Sequence, residues 1–476
     1  MTTTDEMAPG WEMVVGLEVH AELATETKLF SAAPNQFGSE PNTNIDAVSL
    51  GLPGSLPVLN EMAVELAIRV GLALNCRVQS SVFARKNYFY PDMPKDFQIS
   101  QYDKPINEDG WLELPDGTRL GIERAHIEED TGKSTHIGGG GRVHDAGHSL
   151  VDYNRAGIPL VEIVGRPDIS SAEQAKAYAS ELRAILVTIG ASDGKMEEGS
   201  LRVDANISVR KPGDPLGTRC EVKNVNSLRS LGRAIDYEAA RQIDILESGG
   251  TIRQETRHWD EEDGRTQTLR VKEEADDYRY FPEPDLVPVD PDEAWIEEIR
   301  AALAPLPSAR RRALADAAGV APAEAAITVE RDLDELALAA IAEGADAGRV
   351  LTHIENNLAV DGAISLDAAS FATLVRMETA GELTATQTKQ VLSELVSAGG
   401  DPRTIASARG FEAMDSGELE TLVDRIIADN AETWADYLGG DAKKLGFFVG
   451  QVMKATSGQA DGKVVNRLFA QRASTA

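Results

Sequence analysis

Near Pro291–Asp292 the chain changes texture, and no other feature constrains its fold as strongly. Before that point, short runs alternate apolar and polar residues and are punctuated by glycine and proline, the period-2 signature of strands. From Trp295 onward alanine, leucine, glutamate and arginine dominate, and the period lengthens to that of helices. Strands first and helices afterwards predict an α+β protein, because a run of strands must bury its apolar face before the helices arrive. The expected order is a mixed, β-rich N-terminal domain over 1–292, an α-helical domain over 293–402 and a small helical tail domain over 403–476. A second change of texture, near Gly399–Arg403, marks the last boundary.

The β-rich part carries most of the chemistry. Ile122–His136 reads IERAHIEEDTGKSTH, and after a glycine-rich break comes DYNRAGIPLVEIVGRPD. His126, Glu128, Glu129, Asp130, Lys133 and His136 crowd into eleven positions, and Glu162 lies inside the apolar run Ile158–Val164. A carboxylate in such a run is costly to bury unless something pairs with it. A metal ion is one partner, since hard cations gather several carboxylates. The other reading puts Glu162 on the wet face of a strand, which alternation equally allows.

Trp11–His20 predicts a strand with Glu18 and His20 two apart on one face. They are a pair of ligands or, read singly, satisfied core groups. Met196–Val209 alternates so that Arg202, Asp204 and Asn206 share a face, and Lys223 and Asn224 sit beside the short strand Cys220–Ser227. Helices are expected over about Glu61–Leu74, Ser170–Ile189, Ser230–Glu247, Glu418–Tyr437 and Lys443–Lys454. Between Arg85 and Gln101, aromatics interleave with Arg85, Lys86 and Lys95, a pattern that suits base stacking or simply a packed loop. Gly138–Gly141 fails as a phosphate loop because no Lys-Ser/Thr follows. Gly132-Lys133-Ser134 fails because Ile127 stands where the motif needs glycine. A flexible hairpin tip accounts for the glycine run.

Composition narrows the function. The formal charge is −31, and only 15 of the 47 basic residues are lysine. That balance disfavours unaided binding of nucleic acid at low salt, because phosphates would be repelled. It fits a salt-rich cytoplasm, and two distant cysteines, Cys76 and Cys220, fit a reducing one. No apolar run reaches membrane-spanning length and the start lacks a signal-peptide pattern, so a cytoplasmic protein without membrane contact is expected. The exception to the acidity is Asp441–Ala476, with six basic residues against two acidic ones.

Eight stretches taken in order bear a resemblance: GLEVH (16–20), LGLPGSLPVLN, RKNYFYPDMPKDFQISQ, HIEEDTGK, DYNRAGIPLVEIV, EEGSLRVDANISV, EVKNVNS and DDYRYFPEPDL. Together with GFFVGQVMKATSGQADGKVVNRLF (446–469), they resemble the B subunits of aspartyl/glutamyl-tRNA amidotransferases across nearly the whole chain. The resemblance implies a cradle domain, a helical domain and a tail that grips tRNA, in a ligase of protein biosynthesis that forms a carbon–nitrogen bond with glutamine as the amido donor. The side-chain carboxylate of misacylated Asp-tRNA(Asn) or Glu-tRNA(Gln) would be phosphorylated by ATP, then amidated by channelled ammonia. The ammonia would come from a separate amidase (A) subunit, and a small C subunit would complete a heterotrimer.

By the same resemblance His20, Glu128 and Glu162 would hold Mg²⁺, with Glu18 in or just behind that set; Mn²⁺ would suit it as well. Either Glu128 or Glu129 fits the motif as ligand, and Glu128 is favoured. Lys86 and Lys95, with Glu128 at the end, would be the polar positions that pass ammonia. KLFSAAPNQFG (28–38) lacks the cysteines of some relatives, so no zinc is expected there. A non-catalytic tRNA-binding scaffold with structural carboxylates is the alternative. A free-standing metal hydrolase finds no HEXXH pattern to support it.

Overall fold

In the computed structural model, residues 9–138, 146–271, 278–411, 416–456, 460 and 462–475 are described. The chain forms two compact units, residues 1–309 and 310–476.

In the first unit β1 (Glu12–Glu22) precedes α1 (Glu61–Ala73). There follow β2 (Arg77–Val78), β3 (Ala84–Asn87), β4 (Phe97–Ser100), β5 (Asn107–Glu113) and β6 (Arg119–Glu129). Next are β7 (Lys133–Ile137), β8 (His148–Asp152), β9 (Pro159–Gly165), α2 (Ala172–Thr188), β10 (Leu201–Arg210) and β11 (Cys220–Val225). Last come α3 (Leu228–Glu247), β12 (Glu255–Asp260), β13 (Arg265–Val271), β14 (Phe281–Pro282) and α4 (Glu293–Ala302).

Twelve of these strands make one sheet in the order β13-β12-β11-β10-β1-β9-β6-β4-β3-β14, with β5 beside β6 and β2 beside β5. All pairs are antiparallel except β11–β12. Among the described residues β7 pairs with β8 alone; residues 139–145 between them, with most of the glycine run, lie outside the described residues.

Alternation gives the sheet two unlike faces. Val15, Leu17, Val19 and Ala21 of β1, Val161 and Ile163 of β9, Ala125 and Ile127 of β6 and Val203, Ala205 and Ile207 of β10 are buried on one side. There α1 packs on β6, α2 on β1 and α3 on β10. Each helix starts where a side chain meets the unpaired amides of its first turn: Asn60 accepts from Met62 N, Ser171 from Gln174 N and Ser227 from Ser230 N. Periodicity alone starts α2 two residues early and α3 two residues late, within the usual blur of helix ends. On the other side the same strands turn Glu18, His20, Glu22, His126, Glu128, Glu162, Arg202, Asp204 and Asn206, with Val14, Leu160 and Val164 among them, to the face these helices leave uncovered. This is the α+β layout expected.

At the expected change of texture, Asp292 caps α4, whose Ile296 and Ile299 join the core of the first unit. Among its described residues the second unit's regular elements are all helices. One core gathers around Phe371, Val375, Val391 and Leu392. A separate core gathers around Val423, Trp434, Phe448, Val465 and Phe469. The single helix expected over Glu418–Tyr437 is two, Ser416–Asp429 and Ala431–Leu438. Asn430 breaks it, donating its side-chain amide to Ile426 O at 2.9 Å. The turn brings the Trp434 ring to 5.2 Å from Phe448 and 5.9 Å from Phe469. The last helix, Gly462–Thr475, is not among those the sequence predicts. Among the described residues no helix is long and apolar enough to cross a membrane.

Candidate functional site

Cross-strand register builds the site. On the uncovered face β1, β9 and β6 lie side by side, and His20 pairs in register with Glu162, which pairs in turn with His126. Glu128, two residues on from His126, therefore falls on the same face. One donor atom each from His20, Glu128 and Glu162 lies within 4.8 Å of the others, the spacing of groups that can share one metal ion. His20 Nε2 is 3.7 Å from Glu128 Oε1 and 4.0 Å from Glu162 Oε2. Two carboxylates and an imidazole suit Mg²⁺ or, with its greater tolerance of nitrogen, Mn²⁺.

The two readings of Glu162 converge here. Its side chain does point to the uncovered face, but is only 14% exposed because that face is lined with partners. Burial alone would raise its carboxyl; the charges of His126, His20 and Lys86 outweigh it and hold the group well below the usual carboxylate range. Lys86, on β3, thus faces the cluster electrostatically, while its Nζ sits 4.9 Å from the Tyr278 ring centroid. Tyr280 stacks on Tyr102 at 5.1 Å; burial and the charges of Glu128 and Glu162 raise its phenol.

Other expected residues lie elsewhere. Glu18 is outside the three-donor set and accepts from Asn206 Nδ2 at 2.8 Å. Asn206 belongs to the polar row of β10, where Arg202 donates to Asp130 Oδ2 at 2.8 Å and Asp204 accepts from Lys223. Glu129 points away from Glu128, as neighbours on a strand must. It accepts from Ile99 N at 2.9 Å and pairs with Lys95. Lys95 is therefore not brought to the three-donor cluster; it is buried against Glu129, beneath the rings of Phe97 and Phe30.

The sequence places His126 in the acidic stretch without assigning it a role. It is fully buried, with Nε2 3.3 Å from Glu162 Oε2 and 4.0 Å from Glu128 Oε2. The period-2 rule could have placed it, since Glu128 follows two residues later. Two residues beyond His20, Glu22 lines a cavity of about 940 Å³ with Lys133, Asn154, Arg155, Asp193 and Asn224. Burial, then the nearby Asp130, push the Glu22 carboxyl up to about 7 against the opposing charges of Arg202 and Arg155.

The charge asymmetry of the C-terminus is smaller in space than along the chain. Arg472 donates to Asp424 at 2.6 and 3.0 Å and to Glu420 at 3.2 Å, and Lys444 is 3.5 Å from Asp436. Lys443, Lys454 and Arg467 remain exposed.

Residues 13–297 match the family model described as the GatB/GatE catalytic domain, and 348–472 match that of the GatB domain. Three proteins, each named as the B subunit of an aspartyl/glutamyl-tRNA(Asn/Gln) amidotransferase, are similar over almost their full length. That of Salinispora arenicola is 48% identical, covering 99% of both chains. The Kineococcus radiotolerans protein is 47% identical over 98% of both. The Shouchella clausii protein is 46% identical, covering 96% of this chain and 98% of its own.

Proposed function

The chain belongs to the family of aspartyl/glutamyl-tRNA(Asn/Gln) amidotransferase B subunits, and from that premise we propose that its first unit activates the side-chain carboxylate of Asp-tRNA(Asn) or Glu-tRNA(Gln) with ATP. The γ-phosphoryl group passes to a carboxylate oxygen, giving an acyl phosphate and ADP. Ammonia, released by a separate amidase subunit, then attacks the acyl carbon; phosphate leaves with the C–O electron pair and the amide remains. Activation is needed because a carboxylate at neutral pH resists attack by an amine.

One observation carries the reading: the convergence of His20, Glu128 and Glu162 from three strands onto one uncovered patch. Phosphoryl transfer to a carboxylate brings like charges together, and catalysis is chiefly their neutralisation and alignment. His20, Glu128 and Glu162 would hold a divalent cation, which when bound supplies charge neutralisation for the phosphates. Lys86 adds a positive charge beside Glu162. Ammonia passage by way of Lys86 and Lys95, a small third subunit, and tRNA contact by the terminal helices through Lys443, Lys454 and Arg467 belong to the same proposal.

The test is release of γ-phosphate from ATP by the assembled complex given Asp-tRNA, comparing wild type with Glu162→Gln. Loss of a charged donor is expected to lower the rate by about 100-fold or more, roughly 2.7 kcal/mol. Full amide formation by the variant with unaltered metal dependence removes the site assignment. A scaffold with structural carboxylates instead gives no phosphate release even in the wild type.

A further inference from the structure

His20, Glu128, His126 and Glu162 form a closed ring in which imidazoles and carboxylates alternate. Going round it, the separations are 3.7, 4.0, 3.3 and 4.0 Å. Glu128 offers Oε1 to His20 and Oε2 to His126, so it faces both imidazoles at once. Only His20 shares the three-donor set with the two carboxylates. His126 lies on the other side of those carboxylates, fully buried, with the Tyr102 ring edge-on at 6.4 Å. Neither of its ring nitrogens makes a well-formed hydrogen bond among the described residues, although Nε2 lies 3.3 Å from Glu162 Oε2.

A buried imidazole without a well-formed hydrogen bond is unfavourable, and this one is aimed into a candidate cation site. Carboxylates that ligate metals are generally held by a hydrogen bond from behind. We propose that His126 is a positioning residue: its Nε2–H donates to Glu162, turning that carboxylate, with Glu128, toward a divalent cation held on the His20 side. The inference rests on the metal reading given above. It adds a residue that acts through Glu162 without touching the ion, and it gives the buried ring a well-formed hydrogen bond.

The experiment is Mn²⁺ binding to the full chain, with manganese chloride as the probe and electron paramagnetic resonance as the readout. His126→Phe keeps the ring's bulk and removes the donor; His126→Gln keeps an N–H group in its place. The phenylalanine variant is expected to bind Mn²⁺ about 10- to 100-fold more weakly, and the glutamine variant to recover most of that loss. Pulsed measurements on the wild type, which need no variant to fold, are expected to show one directly coordinated imidazole, that of His20. Unchanged affinity in the phenylalanine variant overturns the positioning role, and so do two coordinated imidazoles in the wild type. No imidazole coupling at all, with Glu162→Gln binding Mn²⁺ as the wild type does, overturns instead the metal reading on which this one depends.

Discussion

Replacing Lys95 with methionine is expected to destabilise the first unit by about 3 to 5 kcal/mol, the usual cost of removing one partner from a buried ion pair. The size follows from the surroundings. The side chains of Lys95 and Glu129 are 8% and 3% exposed. The lysine stem lies against Gly51, where an added Cβ would come within 2.8 Å of Lys95 Cγ at a backbone φ of +64°. Without the ammonium, the Glu129 carboxylate keeps the Ile99 amide as its one hydrogen-bond donor among the described residues. The assay is thermal unfolding, in which a loss of this size lowers the first transition by on the order of 10 °C. Lys95→Met with Glu129→Gln is the decisive partner variant. The amide still accepts from Ile99, no charge is stranded, and most of the stability should return. A single-variant cost below about 1 kcal/mol, as for an exposed pair, would refute the argument, as would a double variant no better than the single. The stable double variant then isolates any role in ammonia passage. If Lys95 lies on that path, amide formation from glutamine falls while added ammonium still supports it.

Two further predictions concern the same unit. Burial lowers the Lys28 amine to about 8, against the opposing charges of Asp46, Glu129 and Asp152. Its Nζ donates to the carbonyls of Tyr153 and Ala156 at 3.2 and 2.6 Å. The unfolded chain holds a proton there up to about pH 10.4, whereas the folded chain releases it near 8, so stability should rise with pH across that window. Denaturant titrations should show the rise in wild type and not in Lys28→Met; parallel curves would exclude it. Gly71→Ala would normally strengthen a helix by about 1 kcal/mol. Here the new Cβ would lie 1.9 Å from Asn107 Oδ1, and Asn107 is buried and donates to Ala67 O at 2.9 Å. A net loss of about 1 to 3 kcal/mol is expected in urea unfolding, partly relieved by Asn107→Ala; a gain in stability would show that the contact relaxes freely.

The sequence by itself determined what depends on neighbours a few residues away. Alternation in GLEVH, VEIV and LRVDANISV fixed which side chains share a face, because successive residues of a strand point to opposite sides. The change of period beyond Asp292 announced the helices, and serines stood ready to cap α2 and α3. Alternation also separates Glu128 from Glu129, although it does not say which of the two meets the cluster.

Only the tertiary structure decided what sits opposite what. That His20, Glu162 and His126 fall in one row depends on β1 lying between β10 and β9, with β6 beyond. The pairings of β1 join segments more than a hundred residues apart and that of β6 with β9 spans thirty or more, and a one-residue slip in any of them would turn a whole strand's polar set to the other face. The partner of Lys95, and the acids of Ser416–Asp429 that answer Arg472, came into view for the same reason. Periodicity along a chain records direction relative to its own backbone, whereas distance between side chains is set by hydrogen-bonded register and packing among remote segments.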